Sequence, residues 1–342
     1  MILIDGSDAG GQLVRTACAL SAITKKPFKI TNIRGSRPSP GLKAQHLEGI
    51  KSIVELCNAE TKGLELNSKD LDFYPRKLEA KDLKIKISTA GSIGLVLQAV
   101  LLVTSQLEKS IKIEIDGGGT WNKWAPPVLY LEKVLFPLLK EETKIKILRD
   151  GFYPKGGAKV EVIAKPLKTN PIEIIEKGEI KEINGFSISS KSLEKANVAE
   201  RQAKTAKEMI KQKFNRELNI ETKYVDSLSP GSGVLIYIKT ENSIIAGDTL
   251  GEIKKSAEDV AKEAVKNLIF EYANGAVDRH AADMMIPYMS IVSAQLGAEC
   301  KIMSTFTEHI KHNIAVVEKF FPIKFNLKSI DKIMLISKPS SN

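Results

Sequence analysis

The chain has 342 residues, of which 43% are hydrophobic, and a formal net charge of +10. That length suits one large domain or two ordinary ones, with apolar content enough for a sizeable core. The sequence carries neither an apolar stretch of roughly eighteen residues nor a basic-then-apolar leader, so a membrane span and a signal peptide are excluded as readings.

The basic charge biases the partners toward polyanions, nucleic acid first, although a Lys- and Ile-rich composition also accompanies heat adaptation. Cys18, Cys57 and Cys300 are odd in number and far apart. They read as buried free thiols of a reducing cytoplasm, not as a disulfide framework or a zinc site.

In chain order, Met1–Asp5 reads as a strand, followed by the turn Gly6-Ser7-Asp8-Ala9-Gly10-Gly11 and a helix over Gln12–Ile23. Asp8 is placed either to hold a divalent ion over a triphosphate or simply to cap that helix. A strand at Phe28–Ile33 leads into Arg34-Gly35-Ser36-Arg37-Pro38-Ser39-Pro40-Gly41, a loop stiffened by two prolines. Guanidinium forks suit phosphate bidentately, and Arg34 and Arg37, three residues apart, are placed to clamp one dianionic group. A second helix reaches about Leu56, with Gln45 and His46 in its first turn, and two strands close the unit at Lys62–Leu66 and Asp70–Tyr74.

The same order returns from Leu83: a strand to Ser88, a turn over 89–92, an apolar helix Ile93–Leu107 and a strand Ile111–Asp116. A helix Val128–Leu139 and strands at Lys144–Leu148 and Lys159–Ala164 complete it. In the loop before that helix, Trp121 and Trp124 are either base-stacking platforms or packing caps.

A third copy takes its helices near His280–Leu296 and 308–321, with strands at Cys300–Thr305, Lys324–Leu327 and Lys332–Ile336. The repetition predicts an α/β fold of α+β layers, three βαβαββ units forming one large domain over 1–183 and 273–342. Residues 184–272 read as an inserted βαββα domain with two amphipathic charged helices.

In the third copy's second helix, Ile310, Ile314, Val317 and Phe321 recur at helical spacing, so one stripe faces a core. Thr307 is the expected N-cap, which puts His309 in the first turn, where unpaired N–H groups and the dipole favour phosphate and disfavour imidazolium. A neutral imidazole beside a phosphate site has the makings of a nucleophile toward phosphorus. His280 and Asp283 share a face of the preceding helix, where Asp283 is placed to orient a nucleotide or a histidine across the cleft. His309-x-x-His312 lacks a third ligand nearby and makes a poor zinc site. No P-loop occurs, so ATP, if used, is held otherwise.

The ordered stretches Gly10-Gly11-Gln12-Leu13-Val14-Arg15, Ile33 to Leu42 with Gln45-His46-Leu47, Ala90-Gly91-Ser92 to Gln98, Gly151 to Gly157, His280-Ala281-Ala282-Asp283, and His309 with Asn313 to Glu318 resemble RNA 3′-terminal phosphate cyclases. The resemblance spans essentially the whole chain. It implies a fold of three βαβαββ units plus one inserted domain, and a cytoplasmic, ATP-dependent enzyme that closes an RNA 3′-phosphate into a 2′,3′-cyclic phosphate.

By resemblance His309 is the catalytic residue that carries AMP. Gln98, His280, Ala281, Ala282, Asp283 and Met284 line the ATP and AMP site. Arg15, Arg34, Arg37 and Gln45 match residues placed around the phosphates of ATP and RNA; from their positions Gln12 and His46 are grouped with them, His46 alone reading more often as a satisfied helix histidine. A divalent Mg or Mn ion is implied, with Asp8 standing where the family has a metal-holding glutamate, on a shorter turn. Trp121 stands where the family commonly has Asp. The implied partners are ATP and RNA with a 3′-terminal phosphate, with no membrane, and a homo-oligomer is left open.

The alternatives are the non-catalytic cyclase-like RNA-binding proteins of ribosome assembly and, less fittingly, an enolpyruvyl transferase. His309 favours the cyclase over the first, and the Arg-x-x-Arg loop favours it over the second.

Overall fold

The structure is a computed structural model and describes residues 1–330 and 332–339; residues 331 and 340–342 of the expected 273–342 segment lie outside the described residues. The first four-stranded sheet runs in the order Ile2–Asp5, Phe28–Thr31, Leu71–Tyr74, Glu60–Lys62. Its helices are α1 (Gly11–Thr24) and α2 (Ala44–Cys57).

The second sheet repeats that order with Leu83–Ser92, Ile111–Gly119, Lys159–Ala164 and Lys144–Arg149. Its first helix is α3 (Ile93–Thr104), apolar on every side and buried almost throughout. A helix with no polar face has to lie in a core, and each fully buried Leu, Ile or Val there contributes roughly 1.5–3 kcal/mol. The expected helix over 128–139 forms, but Leu131–Leu135 widens into a π turn just before Pro137. Proline supplies no N–H to the ladder, which accounts for the local rearrangement.

A separate sheet follows, ordered Leu218–Val225, Ile180–Ser190, Ser232–Thr240, Ile244–Leu250, with helices α4 (Val198–Phe214) and α5 (Ala257–Asn274). The expected βαββα order is corrected to βαβββα: Ile244–Leu250 returns antiparallel against Ser232–Thr240 after a tight turn at Glu241-Asn242. The sequence reading assigns no element to these seven residues, because so short a segment carries little pattern. This sheet's longest strand starts at Ile180 and its last helix ends at Asn274, slightly outside 184–272.

The last sheet holds Cys300–Ser304, Ile323–Ile330 and Lys332–Pro339, with helices α6 (Arg279–Leu296) and α7 (Glu308–Phe320). It is completed by Glu173–Ile174, which pairs parallel with Cys300–Ser304 and which the sequence reading missed because it is only two residues long. Its order therefore matches the first two sheets, with the separate sheet intervening after its first strand. All three cysteines are free and buried. Among the described residues, no helix is long and apolar enough to cross a membrane.

Two buried acids set testable properties of this frame. Asp278 is fully buried and caps α6, accepting from His280 N and Ala281 N, both at 3.0 Å. It also accepts from the Tyr130 hydroxyl at 2.5 Å and from Ala246 N at 3.0 Å, so one carboxylate ties α6 to two other elements. Asp278→Ala strands those donors away from water and should cost about 3–5 kcal/mol. Urea denaturation checks it through a lower midpoint.

Glu141 is only 9% exposed, and neither carboxylate oxygen has a hydrogen-bond partner among the described residues. Burial pushes its pKa up to about 7, tempered by the neighbouring Thr143 side chain. The folded state then binds more protons than the unfolded chain, whose carboxyl titrates near 4.5. Stability should accordingly fall as pH rises from about 4.5 to 7, by roughly 3 kcal/mol for this group, and level off above. Glu141→Gln should flatten that slope in thermal melts and stabilise the protein at pH 8.

Candidate active site

The site grows from helix starts. Thr307 caps α7 as expected, its hydroxyl accepting from Ile310 N at 3.2 Å. The buried stripe runs Ile310, Asn313, Val316, Val317, Phe320, while Ile314 and Phe321 are only partly buried. The stripe is thus rotated slightly from the one the apolar residues alone defined, and it places a polar residue, Asn313, in the core.

His309 stands in the first turn of α7 with its side chain 57% exposed, and its Nδ1 lies 3.6 Å from Asp283 Oδ2. Asp283 reaches it from α6. The other carboxylate oxygen, Oδ1, accepts from Gln12 Nε2 at 2.5 Å and from Asn313 Nδ2 at 2.9 Å. Gln12 opens α1, so three helices from the first and last sheets meet on one carboxylate. α1 packs on α2, α3 and α7, and α6 packs on α7, so the meeting point lies among packed helices.

Gln12, Arg15, Gln98, Asp283 and Met284 line one pocket together with Asn313 and Pro287. Arg15 is 4% exposed; burial lowers its pKa to about 10, and the nearby Asp283 opposes that shift. The guanidinium stays charged at neutral pH.

The expected residues do not all gather there. His280 lies across α6 in a separate groove, lined also by Trp124, Pro126, Asp248 and Asn267. Its ring meets Tyr130 edge-on at 6.3 Å; the residue is exposed, and the surrounding protein still crowds the ring enough to pull its pKa down. Asp248, on the strand missed in the sequence, is the residue there that reading overlooked; burial, reinforced by Asp278, raises it to about 7. Ala281 and Ala282 are fully buried and serve packing.

His46 is 4% exposed, and a Cβ on Gly11 would fall 2.0 Å from its Nε2. Only glycine lets the start of α1 close over that ring. His46 Nδ1 accepts from Lys43 N at 3.1 Å, and burial followed by Arg15, Arg34 and Lys43 holds its pKa down at about 2. It is a neutral packing element beneath the turn, with no exposed face for a phosphate. Gln45 Oε1 accepts from Ser92 N at 2.9 Å, joining α2 to the start of α3.

The two loop arginines differ. Arg34 adopts a left-handed backbone, φ 56°, and its Nη1 donates to Ser39 O at 2.7 Å and Gly41 O at 3.0 Å. Lys43, absent from the sequence reading, secures the same loop through Ser39 Oγ, Pro40 O and Asn67 Oδ1. Arg37 is exposed, and among the described residues its guanidinium has no hydrogen bond or ion pair. Its Nη2 would lie 3.6 Å from a Cβ on Gly10, so it hangs over the turn that opens α1.

Trp121 is 2% exposed and packs face-on against Gly233, where a Cβ would sit 2.3 Å from Cε3. It is a packing cap, and only Trp124, 85% exposed with Lys123 5.6 Å from its ring centre, is free to stack on a ligand.

Asp8 is exposed, and no group of three His, Cys, Asp or Glu among the described residues could hold a metal ion. One carboxylate is no cage. It does fit the way Mg²⁺ is usually held, by one or two carboxylates plus substrate phosphates.

Three sheets of one strand order, with helices packed on them, make a mixed α/β fold, and an imidazole at a helix start stands beside an acid. The sequence profile of the RNA 3′-terminal phosphate cyclases matches residues 7–327. A protein named RNA 3′-terminal phosphate cyclase from Pyrococcus abyssi is 42% identical over 334 residues, 96% of this chain and 95% of that one. The same-named proteins of Thermococcus gammatolerans and Methanopyrus kandleri are 41% and 37% identical, each over at least 94% of both chains. The chain belongs to the RNA 3′-terminal phosphate cyclase family.

Proposed function

We propose that the protein closes the 3′-terminal phosphate of an RNA into a 2′,3′-cyclic phosphate at the expense of ATP, with His309 as nucleophile. The observation that carries this is the pairing of His309 Nδ1 with Asp283 Oδ2 at the start of α7. With a proton on Nδ1 facing the carboxylate, Nε2 keeps its lone pair pointing out to the exposed side.

His309 Nε2 attacks the α-phosphorus of ATP; the bond to the bridging oxygen breaks, and pyrophosphate leaves. An oxygen of the RNA 3′-phosphate then attacks the same phosphorus, the P–N bond breaks, and the imidazole is restored. The neighbouring 2′-hydroxyl attacks the 3′-phosphorus, gives its proton to solvent, and expels AMP. Arg15 and Gln98, in the pocket beside Asp283, bind the nucleotide, and the N–H groups opening α7 receive the charge that builds on the α-phosphate. Arg37 binds the RNA's terminal phosphate. Asp8 would hold a divalent ion alongside the polyphosphate, where such an ion neutralises charge on the leaving group.

We assign the catalytic unit to 1–183 and 273–342 and the inserted unit to 184–272. Support comes from the shared order of three sheets and the separate fourth. The deciding experiment incubates the protein with α-labelled ATP and then with 3′-phosphate RNA. An acid-labile, alkali-stable label that is discharged by the RNA, with cyclic ends formed, is the expected result. Protein that never takes label contradicts the reading.

A further inference from the structure

Pro287 lies inside α6 and has no N–H, so it cannot donate to the carbonyl four residues earlier. That carbonyl belongs to Asp283. The helix therefore leaves a backbone acceptor unpaired at the residue that faces His309. The vacancy is filled from another helix: Asn313 Nδ2 donates to Asp283 O at 2.8 Å and, with its second hydrogen, to Asp283 Oδ1 at 2.9 Å. The remaining amide atom, Asn313 Oδ1, accepts from the Thr16 hydroxyl at 3.2 Å. Asn313 is 2% exposed and Thr16 8%, so every partner is protein and none is interchangeable with bulk water.

From this geometry we infer that Asn313 is a positioning residue for nucleotidyl transfer. It grips Asp283 at both backbone and side chain, so that Oδ1 is used up and Oδ2 alone faces His309. Asp283 O and Oδ1, both acceptors, fix the amide's Nδ2 end toward them, and the Thr16 hydroxyl ties down the other end by donating to Asn313 Oδ1. Pro287 makes the grip available by removing the competing helical donor.

An ordinary core position on that stripe would be apolar, and a polar residue there is costly unless its hydrogen bonds are met. Here they are met by the residue behind the nucleophile. His309 and Asn313 are four apart, one above the other on α7, so the same helix presents both ends of the arrangement. The inference rests on His309 being the nucleophile.

The test uses full-length protein and four variants, with adenylylation followed from labelled ATP in single turnover. His309→Ala first settles the underlying reading: if it still takes label, that reading fails and not the role of Asn313. Asn313→Asp keeps the shape and the Thr16 bond but replaces the donor with an acceptor. It should slow adenylylation roughly 10- to 100-fold, the loss of hydrogen bonds to a charged group, with the KM for ATP changed less than about threefold. Thr16→Val should give a smaller loss of the same kind. Pro287→Ala restores an N–H toward Asp283 O and draws that carbonyl back into the helix. It should slow the step while the melting temperature holds or rises, an outcome that general destabilisation cannot produce.

The chain has only four histidines, so ¹⁵N-histidine spectra can be assigned by comparison with His309→Ala. The fraction of His309 carrying its proton on Nδ1 should drop in Asn313→Asp and Pro287→Ala. Adenylylation within twofold of the parent protein in both, or an unchanged His309 tautomer, overturns the proposal. So does a loss confined to the KM for ATP.

Discussion

His309→Ala and His309→Asn should abolish self-adenylylation and leave the protein folded. The side chain is 57% exposed and faces Asp283 at 3.6 Å, so removing it opens no buried cavity. Surface substitutions of that kind usually stay within about 0.5 kcal/mol of the parent. Chemistry is another matter. No other imidazole can substitute: His46 is buried under Gly11, and His280 opens into a different groove. His312 lies three residues on, beyond the cap that positions the first turn. Loss of a covalent nucleophile typically lowers a rate by roughly 10⁴-fold or more, which puts the labelled band below detection. Melting curves alongside the labelling separate chemistry from folding. Labelled AMP retained by His309→Ala would overturn the assignment.

Much of this arrangement was legible because it is local. Thr307 as cap and the first-turn place of His309 follow from short-range spacing, whereas His280 and Asp283, expected on one face, line different grooves. What was missed depends on contacts between distant parts of the chain. Asn313 was invisible as a partner of Asp283, although a polar residue on a buried stripe, with a proline four residues after Asp283, could have flagged it. The His309–Asp283 contact was within the reading that Asp283 orients a nucleotide or a histidine across the cleft, whereas the Gln12 bond, which joins both helices to α1 some 270 positions away, was not.

The same blindness explains the histidine and tryptophan outcomes. His46 looked like a phosphate residue by its neighbours, but Gly11 lets the backbone close over it. Trp121 and Trp124 looked alike until Gly233 supplied a flat surface for one of them. The two-residue strand Glu173–Ile174 and the hairpin strand Ile244–Leu250 were lost because short alternations carry little pattern. Sheet membership, not propensity, defines them.

The loop arginines also looked equivalent, and the structure divides their work. Arg34 spends Nη1 on Ser39 O and Gly41 O, holding the loop's shape. Arg37 is exposed, has no side-chain partner among the described residues, and overhangs the turn at Gly10. Arg37→Ala should therefore spoil cyclisation of 3′-phosphate RNA far more than formation of the His309 adenylate. A hydrogen bond to a charged group is worth roughly 1.5–3 kcal/mol, so productive RNA binding should weaken about 10- to 150-fold. Arg37→Lys should recover only part, because an ammonium cannot grip two oxygens in one plane. Arg34→Ala should impair cyclisation as Arg37→Ala does, since the loop that carries Arg37 loses its internal ties. Salt adds an independent check: binding of the 3′-phosphate strand should weaken by about 0.7 log unit per neutralised phosphate for each tenfold rise in salt, and Arg37→Ala should shallow that slope. The decisive comparison is adenylylation against single-turnover cyclisation in Arg37→Ala. Equal losses in the two steps would mean that Arg37 serves ATP, and its place on the RNA would be wrong.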